Sequence, residues 1–519
     1  MVPPAALAIH LCIGMAYGYS VFWIPMSQTI GVTQPLACPA DMHWWQILYN
    51  SDCDWPINML GWMYTLFFVL LGSAAALMGG WIEREGPRKA GFKSACCWCG
   101  GMLISAIGVR YHQLWLLWLG SGVIGGIGLG LGYISPISTL IKWFPDHRGM
   151  ATGMAIMGFG GGAMIGSPLA NMLMEFFSDA ASNGVWETLV ILSVIYFIFM
   201  TAGTFTYRLP PDGWRPSGFK EQTTKKLVTA SNVNVNTASR TPQFWLLWLV
   251  LCVNVTAGIG ILGMASPLLQ EIFGGKLIGL PVGFAELDLN QKKSVAAAAA
   301  GFIGLLSLFN IIGRFFWSTL SDKIGRKNTY HIFLALGCLL YWSIPVLGKS
   351  GNLILFVLVF CLILSMYGGG FATIPAYLAD LFGTKMVSAI HGRLLTAWST
   401  AGILGPVLVN YIREFKIGKG MPVSEVYSDT MYLLGGLLIA GLIANILVRP
   451  VDQIHFVKDS EEEKIKDKLP ASVLDQPVQI NHQHKLSEKV KILMAWLVVL
   501  LPLAWGFGMT IRLASSLFN

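Results

Sequence analysis

Apolar stretches of about 20 residues recur along this chain, and each is long enough at about 1.5 Å per residue to cross a hydrocarbon layer about 30 Å thick. Twelve spans are expected, at 6–30, 59–81, 93–110, 114–141, 149–174, 187–207, 243–272, 295–320, 329–347, 351–379, 386–411 and 430–448, with a thirteenth at 492–511. A soluble domain carries roughly 25% charged residues. Here the charged fraction is 12%, against 54% hydrophobic residues and a mean hydropathy of +0.61. The expectation is an all-α membrane protein lying in the bilayer. The first span has no basic region before it and no small-residue cleavage site after a short core, which predicts a retained helix rather than a signal peptide.

The net charge of +8 points to nucleic acid only if the basic residues gather on one soluble surface, and they do not. Twenty-five of the 35 Lys and Arg residues fall beside the connections 2–3, 4–5, 6–7, 8–9, 10–11 and 12–13, and nine fall on the opposite side or at the C-terminus. The positive-inside rule then predicts that the first set is cytoplasmic and that the N-terminus lies inside, in an inner or plasma membrane. One cation remains. It is Arg314, within the apolar run LFNIIGRFFW at 308–317.

Most of the nine cysteines lie in or beside spans, and the cluster CCWC at 96–99 reads as packing, since no suitably spaced histidine or further cysteine completes a metal site. No metal and no cofactor are expected. Cys38 and Cys53 bracket the loop between spans 1 and 2 on the outer side, where an oxidising compartment allows a disulfide, although spacing alone does not establish one.

Two segments repeat. GGWIEREGPRKAG after span 2 and STLSDKIGRKNTY after span 8 each place a carboxylate three residues before a glycine followed by basic residues: Glu83, Gly86 and Arg88 in the first, Asp322, Gly325 and Arg326 in the second. Glu83 and Asp322 are 239 residues apart; Phe144 after span 4 and Phe382 after span 10 are 238 apart. Two landmarks shifted nearly equally predict a duplicated six-helix unit. The units run 1–207 and 243–448, joined by a proline-rich, basic linker at 208–242 and followed by a polar segment at 449–491, then the extra helix and C-terminus at 492–519. Parallel six-helix repeats with a pathway between them describe the major facilitator architecture. The repeated carboxylates, together with Asp146 and Arg148 in KWFPDHRGMATG, then form a conformational gate that holds the halves together; the alternative is a merely solvated charged loop.

PPDGWRPSG at 210–218, TPQFWLLWLVLCVNVTAGIGIL at 241–262, GPRKA at 86–90 and IKWFPDHRGMATG at 141–153 resemble the oxalate/formate antiporter family of the major facilitator superfamily. The resemblance covers about residues 7–448 and implies a carrier of small carboxylates working by alternating access, with the animal monocarboxylate transporters as distant relatives. It also implies that the arginine of span 8 anchors substrate. It implies further that oxalate carriers bear a lysine in span 11 after a Thr-Ala pair, where this chain has Thr396, Ala397 and Trp398.

Arg314 precedes Asp322 by eight residues, so it stands about 12 Å from the basic end of its helix, near mid-membrane. A cation there costs from about 3 to more than 10 kcal/mol and must face protein or an aqueous cavity. One turn earlier the same face offers Asn310 rather than a carboxylate. Either a transported carboxylate supplies the missing anion through the planar fork of the guanidinium, or Arg314 bonds backbone carbonyls or snorkels to the interface. One buried cation suits a monoanion such as formate, lactate or pyruvate, whereas a dianion leaves a charge uncompensated. Tyr19, Tyr133, Tyr367, Phe371 and Trp398 are the aromatic candidates for the rest of the cavity, with packing as their ordinary role; Tyr19 and Tyr133 also match aromatic positions of the family.

Energy coupling stays open between proton symport and anion exchange. Asn310 replaces the aspartate implied by the animal relatives, and His10 and His391 are the weak titratable candidates. No HExxH and no intramembrane carboxylate pair supports an enzyme. The alternatives are a dicarboxylate antiporter of the oxalate/formate type and a non-transporting carboxylate sensor on the same fold. A monomer that binds no nucleic acid completes the expectation.

Overall fold

The computed structural model describes residues 2–30, 36, 38–39, 42–179, 182–211, 214, 216, 229, 231–422, 424–457 and 485–515. Among these, thirteen helical segments are long and apolar enough to cross a membrane. They are α1 (Val2–Tyr19), α2 (Met59–Glu85), α3 (Pro87–Arg110), α4 (Leu114–Trp143), α5 (Arg148–Phe177), α6 (Val185–Thr206), α7 (Pro242–Leu262), α8 (Gly301–Ile324), α9 (Arg326–Ser350), α10 (Leu353–Phe382), α11 (Val387–Gly418), α12 (Ser428–Leu447) and α13 (Val490–Arg512). Much of the expected linker (212–213, 215, 217–228 and 230) and of the polar segment (458–484) lies outside the described residues.

Helix ends follow local chemistry. Pro242 opens α7 behind Thr241, whose hydroxyl accepts from the Phe244 amide. Gly86 and Gly325, with φ of 84° and 89°, end α2 and α8 and turn the chain into α3 and α9. A residue without Cβ adopts that backbone freely, and these two are separated by the same 239 residues as Glu83 and Asp322.

Helices α1–α6 and α7–α12 form two halves that meet along α5 with α8 and α2 with α11. Large apolar side chains such as Leu77, Phe176, Val346 and Ile443 point outward and are exposed, as a lipid-facing surface requires. Small residues set the approach of α5 to α8. A Cβ at position 153 would stand 1.9 Å from Ser318 Oγ and 2.7 Å from the Arg314 carbonyl.

The end of the bundle that carries Glu83, Asp322 and most of the described Lys and Arg is the basic end. Residues 232–233 return there: the Val233 amide donates to the Phe382 carbonyl (2.9 Å), and Asn232 Oδ1 accepts from the Lys385 amide (3.1 Å). At the opposite end a disulfide joins Cys38 to Cys53. Beneath it His112 Nε2 donates to the Cys53 carbonyl (2.7 Å), and burial holds this imidazole below its ordinary value of 6.5.

Helix α13 belongs to neither half alone. Leu503 lies over Gly161 and Gly506 over Met164 of α5, Val499 packs with Leu7 and Ala8 of α1, and Thr510 reaches Gly304 of α8.

Gly153→Val forces α5 and α8 apart. Overpacking of this kind costs about 1–3 kcal/mol, so the purified protein is expected to unfold at a lower temperature in detergent; an unchanged midpoint would contradict so close an approach.

Candidate functional site

The basic end is closed by contacts between the halves. Asp322 at the end of α8 accepts from the amides of Gly149 (2.9 Å) and Met150 (2.8 Å), the first turn of α5 in the other half. Glu83 at the end of α2 accepts from the Ser388 amide (2.9 Å), in the first turn of α11. These are equivalent arrangements, for Gly149 and Ser388 are again 239 residues apart. A helix N-terminus carries about half a positive charge on its unpaired amides, so each carboxylate caps a helix across the joint. Cations complete both sites: Lys142 lies 2.6 Å from Glu83, and Arg326 lies 2.5 Å from Asp322.

Asp380 adds a third bridge that the repeat does not signal. It meets Arg148 at 3.0 Å across the halves and Arg326 at 3.3 Å. Arg88 departs from the expectation, since it donates to the carbonyls of Tyr207 and Phe205 and so braces α3 against α6 within its own half. Asp146 lies 3.6 Å from His147 of its own loop.

Eight residues above Asp322, Arg314 is fully buried between the halves. The helix reaches this depth because its neighbours are glycines: a Cβ at 160 in α5 would stand 3.3 Å from Arg314 Nε, and one at 368 in α10 would stand 3.1 Å from its Cγ. Arg314 Nε donates to Asn310 Oδ1 (2.8 Å) and Nη1 to the Ile156 carbonyl of the other half (3.3 Å). Nη2 has no hydrogen-bond partner among the described residues. The guanidinium is ringed by Phe159 (5.6 Å), Phe371 (5.7 Å) and Tyr17 (5.9 Å), each within cation–π range. It does not snorkel. It bonds one carbonyl and one neutral amide, and neither cancels its charge.

Trp398 closes the cluster. Its ring lies 4.5 Å from Phe371, 5.3 Å from Tyr133, 5.7 Å from Phe159 and 6.4 Å from Tyr17. Tyr367 stacks edgewise on Phe371 (5.4 Å), and its hydroxyl lies 3.3 Å from that of Tyr17. Trp398 Nε1 and the Tyr133 hydroxyl are also buried without hydrogen-bond partners among the described residues. Three unpaired donors thus sit in one aromatic cluster, on α4, α8 and α11, contributed by both halves.

The structure brings together Arg314, Asn310, Tyr133, Tyr367, Phe371 and Trp398. Tyr19 stands elsewhere: its hydroxyl meets Ser121 (2.5 Å), which in turn meets Ser105 (2.6 Å), all within the first half. Tyr17 occupies the place beside Arg314 expected of Tyr19. From Gly14 to Phe22 the chain winds as a 3₁₀ helix, in which successive residues turn by about 120°, so residues two apart face different neighbours. Phe159, in the glycine run of α5, carried no sequence signal beyond apolarity. Asp380 did carry one, as the sole charged residue of α10.

A family model described as Major Facilitator Superfamily matches residues 6–406 and 294–518. The oxalate:formate antiporter of Oxalobacter formigenes is 23% identical over 89% of this chain and 94% of its own. Apicoplast pyruvate carrier 1 of Toxoplasma gondii is 28% identical over 56% of this chain and 59% of its own. Among solved structures, the fucose:proton symporter FucP of E. coli superposes with a TM-score of 0.57 at 11% identity, covering 87% of this chain and 99% of that one.

Asp380→Asn weakens the seal by leaving Arg148 and Arg326 without their shared carboxylate. With the seven free cysteines replaced, a Ser318→Cys reporter is expected to react faster with a water-soluble thiol reagent in the Asp380→Asn background than without it. Equal rates would show that Asp380 does not hold the basic end shut.

Proposed function

This chain belongs to the Major Facilitator Superfamily, and from that premise we propose that it carries a small organic monoanion, of the formate, lactate or pyruvate class, by alternating access with Arg314 as the anchor. It is a multi-pass membrane transporter. The observation that carries the substrate class is the group of unpaired buried donors, Arg314 Nη2, Tyr133 Oη and Trp398 Nε1, within one aromatic cluster. Buried polar groups are otherwise almost always paired, and a carboxylate is acceptor-only with about four lone-pair sites. A single such group satisfies several of these donors and neutralises the cation at once. The rings of Phe159, Phe371 and Tyr367 suit the short carbon body of the anion.

Charge sets the valence. One guanidinium balances one carboxylate, and Trp398 stands where the resemblance implies a second cation in oxalate carriers. A dianion at this site leaves a charge in a dry cluster, which is costly. Relatives named for oxalate and formate and for pyruvate bracket the class. With 25 of 35 Lys and Arg falling beside the sequence connections 2–3, 4–5, 6–7, 8–9, 10–11 and 12–13, we assign the end that carries Glu83 and Asp322 to the cytoplasm, so the gate contacts describe a state closed to the inside.

Counterflow of labelled pyruvate in proteoliposomes tests the carrier. Arg314→Lys keeps the charge and loses the fork; transport is expected to fall at least about 10²-fold with membrane insertion intact, and normal uptake would remove the anchor. Trp398→Lys is expected to shift a competition panel of mono- and dicarboxylates toward oxalate. An unchanged profile would place position 398 outside the substrate cavity.

A further inference from the structure

A groove of about 480 Å³ runs along the outer face of the seam between α5 and α8. Met157 of α5 forms one wall, and Ile312, Phe315, Phe316, Thr319 and Lys323 of α8 form much of the rest. Successive residues of an α-helix turn by about 100°, so 312, 316, 319 and 323 fall in one stripe with 315 beside it. Ile312 and Phe316 are 51% and 54% exposed, whereas Arg314, two residues on from Ile312, is buried on the other side of the helix. The groove is thus separate from the Arg314 cluster.

The stripe changes character along its length. Three large apolar side chains line its upper part, and the exposed Lys323 stands at its lower end, where α8 closes. Lys323 makes no hydrogen bond or ion pair among the described residues. The neighbouring carboxylate is already engaged, since Asp322 meets Arg326 and the amides of Gly149 and Met150. From Ile312 to Lys323 is a step of 11 residues, about 16 Å of helix, against about 15 Å for the hydrocarbon depth of one leaflet.

Above this level α13 lies across the seam. A Cβ at 161, one turn above Met157, would stand 2.8 Å from Leu503, and one at 304, two turns above Ile312, would stand 3.1 Å from Thr510. The groove is therefore one leaflet deep. A transmembrane helix of a partner protein needs about 30 Å of track and would meet α13 halfway, whereas the tail of a single lipid ends there.

We propose that this groove binds one anionic phospholipid, with its acyl chain on Ile312, Phe315 and Phe316 and its phosphate on Lys323. Charge complementarity selects the headgroup. A zwitterionic lipid brings its own cation beside its phosphate and gains less from an ammonium that has no other partner, while a lipid of net negative charge is drawn to it. The flexible thioether of Met157 adapts to the chain beside it. The seated lipid touches Met157 of the first half and α8 of the second, so it lies on the line where the halves meet. The site stands whichever anion the Arg314 cluster binds.

The test uses the full chain purified in detergent, incubated with phosphatidylglycerol or phosphatidylcholine of matched acyl chains, with retained lipid counted by native mass spectrometry. Wild type is expected to hold one phosphatidylglycerol about fivefold more tightly than phosphatidylcholine. Lys323→Gln is expected to erase that preference and Lys323→Arg to keep it. Lys93→Gln, at an exposed lysine of the same end on α3, is expected to leave it unchanged. Ile312→Trp narrows the upper groove with the charge intact and is expected to lower retention of both lipids. Equal retention of the two lipids by wild type would overturn the proposal. So would an equal loss in Lys93→Gln, which would show diffuse surface charge rather than a site. Protein dimers that Phe316→Glu dissolves would assign the groove to a second copy of the chain and overturn it as well.

Discussion

A cation without solvent contact sits between two halves of a bundle, and the surroundings of Arg314 can be understood as terms in its electrostatic balance. Burying it costs several kcal/mol at least. The three flanking rings each return about 0.5–2 kcal/mol through their negative faces, and the Asn310 amide and Ile156 carbonyl each supply a dipole without a counter-charge. The balance is left short of one negative charge. Glycines at 160 and 368 permit the arrangement, for side chains there would occupy the space of the guanidinium and its stem. In the proposed carrier, a mobile anion supplies what a fixed carboxylate would otherwise give. A fixed partner would give a more stable protein with no reason to bind anything.

The closure at the basic end follows a different economy. Asp322 and Glu83 each cap a helix of the facing half, at positions related by the internal repeat. Such caps are worth about 0.3–2 kcal/mol apiece, and the flanking pairs with Lys142, Arg326 and Arg148 add charge-assisted bonds. The sum holds a shut state, yet it is small enough to be exchanged for contacts at the other end, as a protein that alternates between two closures requires.

Much of this was legible beforehand. Thirteen spans, the repeat and its carboxylates, and the isolated arginine follow from length, hydropathy and charge, quantities that lipid and low dielectric constrain strongly. The aromatic shell was half legible. Tyr133, Tyr367, Phe371 and Trp398 converge on Arg314, but Tyr17 rather than Tyr19 joins them, since two residues along a helix carry a side chain to a nearly opposite face. Asp380 was passed over since its equivalent in the first half is not a carboxylate, so the repeat gave no hint. Sequence names the charges; which partner each one finds depends on helix rotation, and rotation leaves little trace in an apolar stretch. Backbone partners, such as the amides that receive Glu83 and Asp322, leave none.

Helix α13 lies along the seam where α5 and α8 face one another, fastened to the first by Leu503 and Gly506 and to the second by Thr510. Rocking of the halves slides those two helices, so a rod fixed to both sides either travels with one and slips on the other or resists the stroke. These contacts are made by small or apolar groups. If the halves rock as the proposed alternating access requires, α13 is the element placed along the line on which they would move.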